Sequence, residues 1–278
     1  MEDLNKITEA NRRAWNQATC VHQQHRKVDL REQFAKPGYS TLDSLVTAKL
    51  REIGVAGKSV VQLGCNNGRE LLSVLNLGAA DGVGFDISDE AIAEAQGLAA
   101  IAGTAARFVR SDVYEIGAEW TGRFDLAFIT IGALSWLPDL ERFFGIVARL
   151  LRPGGELLIY EMHPFTYIFA APDEPEYDAN HVLQAAYSYF RTEPWTSTTG
   201  IDYVGGTKYD SSPCYSYTQK LSDIINPIAV NDLVLREFHE YPHDISELWA
   251  HLEPHRVVPL CYILRAIKPG SQGANPPA

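Results

Sequence analysis

The stretch Lys58-Ser59-Val60-Val61-Gln62-Leu63-Gly64-Cys65-Asn66-Asn67-Gly68-Arg69-Glu70 decides the fold. Ser59 to Leu63 is an apolar run of strand length, and a helix starts at about Arg69. Between them lies a turn of residues suited to positive φ, which glycine adopts freely and asparagine more readily than most. A strand passing through such a turn into a helix aims backbone N–H groups and the positive helix end at whatever sits above the turn. That is nucleotide-type geometry. Glycine-rich turns also serve packing, so the segments that follow must decide.

Outward from this stretch, strands and helices alternate. Gly82 to Asp86 forms a second strand, and Ser88 stands where it can cap a helix over Asp89 to Ala100. Arg107 to Arg110 forms a third, running into Ser111-Asp112-Val113, and Phe124 to Thr130 a fourth. A helix over Leu140 to Leu151 stops at the turn signal Arg152-Pro153-Gly154-Gly155, and Glu156 to Tyr160 is a fifth strand. Five strands with interposed helices predict an α/β, doubly wound parallel sheet. A short helix from Ser222 meets Pro227, which limits or kinks it. Leu233 to Phe238 and Leu260 to Ala266 add two late strands.

Residues 1–56 read as a helical segment ahead of the first strand. It holds a polar helix around Glu9 to Asn16 with Trp15, then an apolar stripe of Leu42, Leu45, Val46, Ala48, Leu50 and Ile53 closed by Gly54. Trp15 reads as a packing or lid residue ahead of a ligand contact. From 164 to about 220 the chain turns rich in aromatic and turn residues. Ala185 to Arg191 and Cys214 to Thr218 alternate like an antiparallel pair, with Gly200, Gly205, Gly206 and Ser211-Ser212-Pro213 in loop. An insertion of this length predicts a β-rich lid, with a structural hairpin or a dimer contact as the competing readings. Residues 57–267 form the main domain, and 268–278, rich in Pro, Gly and Asn, predict a disordered tail.

Charge and composition narrow the partners. The 278-residue chain carries 35 acidic against 24 basic residues, a formal net charge of −11, with no basic run. Nucleic acid would have to be held without phosphate attraction, so a small-molecule substrate is expected and nucleic acid is not. No apolar run approaches the roughly 18 residues of a membrane span, and the start lacks the apolar core of a signal peptide. Cys20, Cys65, Cys214 and Cys261 are far apart with no C-x-x-C pair. They read as reduced thiols of a cytoplasmic protein with no metal site.

The strand ends carry the chemistry. Asp86 ends the second strand, 22 residues after Gly64, a spacing suited to a carboxylate accepting from ribose hydroxyls. Asp112 follows the third, where an acceptor can take an adenine amino group. Each acid alone reads as a cap or surface charge; at successive strand ends they point to an adenosine site.

At these residues the sequence resembles the class I S-adenosylmethionine-dependent methyltransferases. The matching pieces are Val61 to Gly68, Gly84-Phe85-Asp86-Ile87-Ser88, Ser111-Asp112-Val113, Phe124 to Ala127 and Leu151 to Leu157, in the family's order over about residues 58–162. The resemblance implies a Rossmann-like, mostly parallel seven-stranded sheet with the last strand antiparallel, and S-adenosyl-L-methionine as cofactor. It places Gly64, Cys65, Asn66, Asn67 and Gly68 at the methionine part, Asp86 with Ile87 and Ser88 at the ribose, and Asp112 with Val113 at the adenine. Thr130-Ile131-Gly132 would face cofactor and substrate. Gln62 and Asn66 depart from the pattern, standing where the family has an acid and a glycine. A dinucleotide-dependent oxidoreductase fits less well, since the glycines fall at 64 and 68 rather than in G-x-G-x-x-G spacing.

For the acceptor, the aromatic insertion supplies Tyr187, Tyr189, Trp195, Tyr203, Tyr215 and Tyr217, apolar bodies with polar tips, and Trp136 and Glu161 outside it are further substrate-binding candidates. A hydroxyl or protonated amine also needs a base within hydrogen-bond reach. His163, after the fifth strand, is the first candidate and His239 the second, each with a structural or substrate-orienting role as the competing reading. His239-Glu240-Tyr241-Pro242-His243 matches the H-E-x-x-H zinc-protease string, but Pro242 breaks the helix that chemistry requires. A macromolecular acceptor docked on 164–220 is the alternative to a small one, and a homodimer is left open.

Overall fold

The computed structural model describes residues 2–270. Three helices come first: α1 (Glu2–His25), α2 (Leu30–Phe34) and α3 (Ser44–Glu52). The alternating part follows as β1 (Ser59–Leu63), α4 (Arg69–Asn76), β2 (Asp81–Asp86), α5 (Asp89–Ala102), β3 (Ala106–Arg110), β4 (Phe124–Thr130), α6 (Leu140–Leu150) and β5 (Leu151–Met162). The insertion contributes β6 (Trp195–Ser197) and β7 (Cys214–Ser216), and α7 (Leu221–Val230), β8 (Val234–Tyr241) and β9 (Cys261–Ile267) complete the chain.

The main sheet has seven strands in the order β3-β2-β1-β4-β5-β9-β8, with β1 to β5 parallel and β9 antiparallel to both neighbours. Its centre is buried on both faces, so alternate residues serve different cores. Val61, Leu63, Ala127, Ile129, Leu157 and Ile159 pack with α6 and α7. Val60, Leu126, Phe128, Leu158 and Tyr160 pack with residues of α2 to α5. On α6, Leu140, Phe143, Phe144, Val147 and Leu150 recur at helical spacing and are buried. Each such side chain contributes about 1.5–3 kcal/mol. Asp139 caps this helix by accepting from Arg142 N at 2.9 Å. From β1 the chain winds outward to β3 and then returns to β4, and this reversal opens a crevice at the carboxyl ends of β1 and β4.

Four expectations change. Ala185 to Arg191 forms no strand; β7 pairs with Trp195–Ser197 instead, and the insertion is mostly irregular. The tyrosines of that segment make side-chain contacts, Tyr187 against Trp195 and Tyr189 against Phe165, so its alternation reflects ring packing rather than a ladder. The Arg152 to Gly155 turn is absorbed into β5 as an irregularity, where the register against β4 shifts between Phe124 and Leu126. Pro227 lies inside α7 without ending it. Lys268 is held in place, its ammonium donating to the carbonyls of Ala148 and Leu151 at 2.7 Å each, while 271–278 of the expected tail lie outside the described residues.

α1 is the tie between the sheet domain and the insertion. One side faces α5: Arg12 pairs with Asp89, Arg26 with Glu94, and Asn16 Oδ1 accepts from the Ser88 hydroxyl at 2.8 Å. The other side holds the insertion. The Asn11 side chain bonds both backbone groups of Tyr215, and Gln17 accepts from Ser212 N.

Candidate cofactor and acceptor site

The turn after β1 uses positive φ at Gly64 (69°), Asn66 (47°) and Gly68 (74°). At Gly68 glycine is required twice over, because a Cβ there would also collide with the Phe108 ring. The N–H groups of this turn are all spent inside the protein. Gly64 and Cys65 donate to Phe85 O, Asn66 to Asp86 Oδ2, Asn67 to Asn66 Oδ1 and Gly68 to Cys65 O. What the turn offers a ligand is therefore the start of α4, where Gly68 caps without any side-chain acceptor and leaves the first-turn N–H groups uncapped.

Asp86 is held rigidly. Its two oxygens accept from Asn66 N at 2.7 Å and Ser88 N at 2.9 Å, leaving further lone pairs for ligand hydroxyls. Burial pushes its carboxyl above the usual range, and these backbone N–H bonds oppose the shift. Asp112 caps the short turn beginning at Val113 by accepting from Tyr114 N at 3.0 Å. Val113 is buried beneath it, Ile87 is partly buried, and Ile131 is exposed past the end of β4 beside Gly132 at φ 85°.

Gln62 tests whether a polar ligand fits. It is fully buried at the carboxyl end of β1, its Nε2 donates to the Thr130 hydroxyl at 2.8 Å, and its Oε1 has no partner. Whichever way the amide is turned, one polar atom is left for a ligand, because Thr130 satisfies only the other. A buried polar atom without a partner costs about 1–3 kcal/mol, which a ligand group bonded there would recover.

Two side chains assigned to the cofactor do other work. The Cys65 thiol is fully buried in the core with Phe108, and burial raises its pKa well above normal. The Ser88 hydroxyl caps α5, accepting from Ala91 N at 3.1 Å and donating to Asn16. The capping expectation for Ser88 accounts for it.

Above the turn stands a roof of rings from three separate segments. Trp15 of α1 meets Trp136 edge-on at 5.1 Å, and His22 of α1 lies 4.3 Å from the Tyr203 ring of the insertion. Tyr203 Oη accepts from Asn66 Nδ2 at 3.3 Å, which joins the insertion directly to the turn. Trp195 stands apart from these rings: its indole N–H is bound to the Thr218 hydroxyl at 2.9 Å, and Arg191 lies over its face.

Glu161 is buried and takes the backbone N–H groups of Gly132, Leu134 and Met162, so it shapes the loop after β4. Burial raises its pKa against those bonds. It also lines a small cavity of about 20 Å³ with Ser135, Tyr167 and Tyr217.

The two catalytic candidates are not brought together. His163 is buried, its Nδ1 accepts from Phe165 N at 3.1 Å, and its Nε2 lies 2.9 Å from a Glu240 oxygen, too poorly aligned for a good hydrogen bond. Burial lowers its pKa while Glu240 opposes the shift. With Nδ1 engaged as the acceptor, the neutral ring carries its proton on Nε2 and has no free lone pair. His239 alternates with Glu240 along the edge strand β8, so it faces the opposite side of the sheet; its side chain is 53% exposed and 3.4 Å from Glu237. His239 lies in the extended strand β8 and His243 beyond its end, so the two histidines of the H-E-x-x-H string do not sit one helical turn apart.

His22, packed against the rings of Trp15 and Tyr203, is a titratable neighbour of the site that is not among the candidates read from the sequence. The signal was available: Asn11, Trp15, Ala18, His22 and His25 recur at helical spacing on one face of α1.

Residues 60–155 match the family model described as a methyltransferase domain. A ubiquinone biosynthesis O-methyltransferase of Psychrobacter cryohalolentis is 30% identical over 164 residues, 56% of this chain and 62% of that protein's length. Among solved structures, an S-adenosylmethionine-dependent methyltransferase of Mesorhizobium loti superposes with a TM-score of 0.53 at 19% identity, covering 79% of this chain and 96% of that one. The geranyl diphosphate C-methyltransferase of Streptomyces coelicolor, solved with S-adenosyl-L-homocysteine, gives a TM-score of 0.57 at 14% identity, covering 94% and 98%. At these identities the two structures share the fold with this chain.

Proposed function

We propose that this chain, which belongs to the class I S-adenosylmethionine-dependent methyltransferases, transfers the cofactor's methyl group to a small-molecule acceptor. The observation that carries this reading is the set of polar groups at the switch point: Gln62 with an unpartnered buried atom, Asp86 locked by two backbone N–H groups, and Asp112 beyond it. On this reading Asp86 takes the ribose hydroxyls, Asp112 with Val113 holds the adenine, and Gln62 with the start of α4 meets the methionine part. The bound cofactor supplies a sulfonium methyl that is already electrophilic.

The protein's own task is alignment and exclusion of water, which can contribute several kcal/mol. Trp15, Trp136 and Tyr203 roof the site with apolar surface, which suits an acceptor with an apolar or aromatic body. The cluster of rings joined to the turn and a net charge of −11 both favour a small acceptor over a nucleic acid. The O-methyltransferase name of the curated relatives favours oxygen as the methylated atom. All four cysteines are free thiols and no helix among the described residues is long and apolar enough to cross a membrane, which supports a cytoplasmic setting.

Calorimetry with S-adenosylhomocysteine tests the cofactor reading: one site per chain is expected, and its absence would sink the proposal. Label from methyl-labelled S-adenosylmethionine should enter only the low-molecular-weight part of a cell extract. Label confined to protein or RNA would establish the macromolecular alternative.

A further inference from the structure

We infer that His22 is the proton acceptor of the methyl transfer, so that the acceptor is an O–H or N–H compound; this rests on the function proposed above. The carbonyl of Ile201 lies 2.6 Å from His22 Nε2. A carbonyl can only accept, so the ring proton sits on Nε2 and the lone pair on Nδ1. Among the described residues no donor meets that Nδ1. His163, by contrast, has its Nδ1 lone pair taken by Phe165 N–H, and His239 stands on the far face of an edge strand.

Position favours the same residue. The His22 ring packs against Tyr203, whose hydroxyl reaches Asn66 on the cofactor turn, and against Trp15, which touches Trp136 after β4. The groups facing His22 are Asp202 and Tyr203 from the insertion, Arg69 from α4, and Arg26 and His25 from its own helix. Burial, which dominates, and the two arginines lower its pKa below the ordinary 6.5, against Ile201 and Asp202. The ring is thus neutral and able to accept at neutral pH.

In the step, Nδ1 takes the proton from the acceptor's X–H as the X–methyl bond forms. The methyl–sulfur bond breaks and leaves its electron pair on sulfur. The imidazolium keeps its Nε2–H bond to Ile201 O and then loses the added proton to water.

His22→Gln is the informative variant, because the glutamine amide can still donate to Ile201 O while offering no basic lone pair. The assay follows label from methyl-labelled S-adenosylmethionine into the low-molecular-weight fraction of a cell extract, between pH 5 and 9. The expected result is S-adenosylhomocysteine affinity within about threefold of the parent, transfer slower by about 100-fold or more, and partial rescue of His22→Ala by imidazole. The parent's rate should fall on the acid side below pH 6.5, and that limb should vanish in His22→Gln. Transfer at the parental rate, an unchanged acid limb, or a rate loss matched by lost S-adenosylhomocysteine affinity would overturn the assignment. Absence of any label transfer by the parent protein would instead overturn the function on which it rests.

Discussion

Asp86 fixes the turn after β1 and the Ser88 backbone through its two oxygens, and the proposed function gives it a second role at the ribose hydroxyls. Asp86→Ala leaves the N–H groups of Asn66 and Ser88 without their acceptor, which costs about 2–4 kcal/mol. A lower urea midpoint should accompany S-adenosylhomocysteine binding weakened by about tenfold or more. Unchanged affinity would remove Asp86 from the ribose site. Because its folded pKa is raised above 3.8, the native state holds this proton more tightly than the unfolded chain. This carboxyl therefore lowers stability as pH rises through that window, whereas on the proposed ribose assignment ligand affinity is lost as pH falls through it. Gly68→Ala is a purely structural counterpart. Positive φ and collision with Phe108 together cost about 2–5 kcal/mol, and denaturant titration should show it even without cofactor.

At the scale of elements, the loop around Tyr203 is held by Asp202. Its carboxylate takes the N–H groups of Gly205 and Thr207 and lies 2.8 Å from His25 Nδ1. These bonds outweigh burial and bring its pKa down to about 2. A depressed acid stabilises above its unfolded pKa, so protection of this loop is complete above about pH 4 and fades as pH falls towards 2. Asp202→Asn should mimic that loss at neutral pH. Amide exchange in residues 200–207 is expected to quicken and S-adenosylhomocysteine to dissociate faster, while the seven-stranded sheet keeps its protection. Unaltered exchange in this loop would show that Asp202 does not hold it.

Across the whole molecule, α1 couples the sheet to the insertion through charge pairs with α5 on one side and, on the other, the amide contacts of Asn11 and Gln17 together with His25 against the Asp202 carboxylate. Arg12–Asp89 and Arg26–Glu94 are partly solvent-exposed and so open to screening by salt. The double variant Arg12→Ala, Arg26→Ala should bind S-adenosylhomocysteine about threefold to tenfold less tightly in low salt, the difference from the parent narrowing at 0.5 M salt as screening removes about the same pairs. An equal gap at both salt levels would point to packing rather than charge as the tie.

The alternation of buried runs, the turn chemistry at Gly64 to Gly68 and the acids at strand ends were legible in the sequence, because each depends on residues near one another in the chain. Period and turn residues specify strands and helices locally, and a parallel sheet with a switch point follows from their order. The positions of the histidines were not legible. His22 and Tyr203 are 181 residues apart and meet only because α1 packs against the insertion. His163 looked well placed at a strand end, yet the Phe165 N–H takes its lone pair. The chain order thus determined where a cofactor can sit. For His22 the free lone pair was decided by tertiary packing, because the carbonyl of Ile201, 179 residues away, fixes its tautomer, whereas His163 loses its lone pair locally to the N–H two residues on.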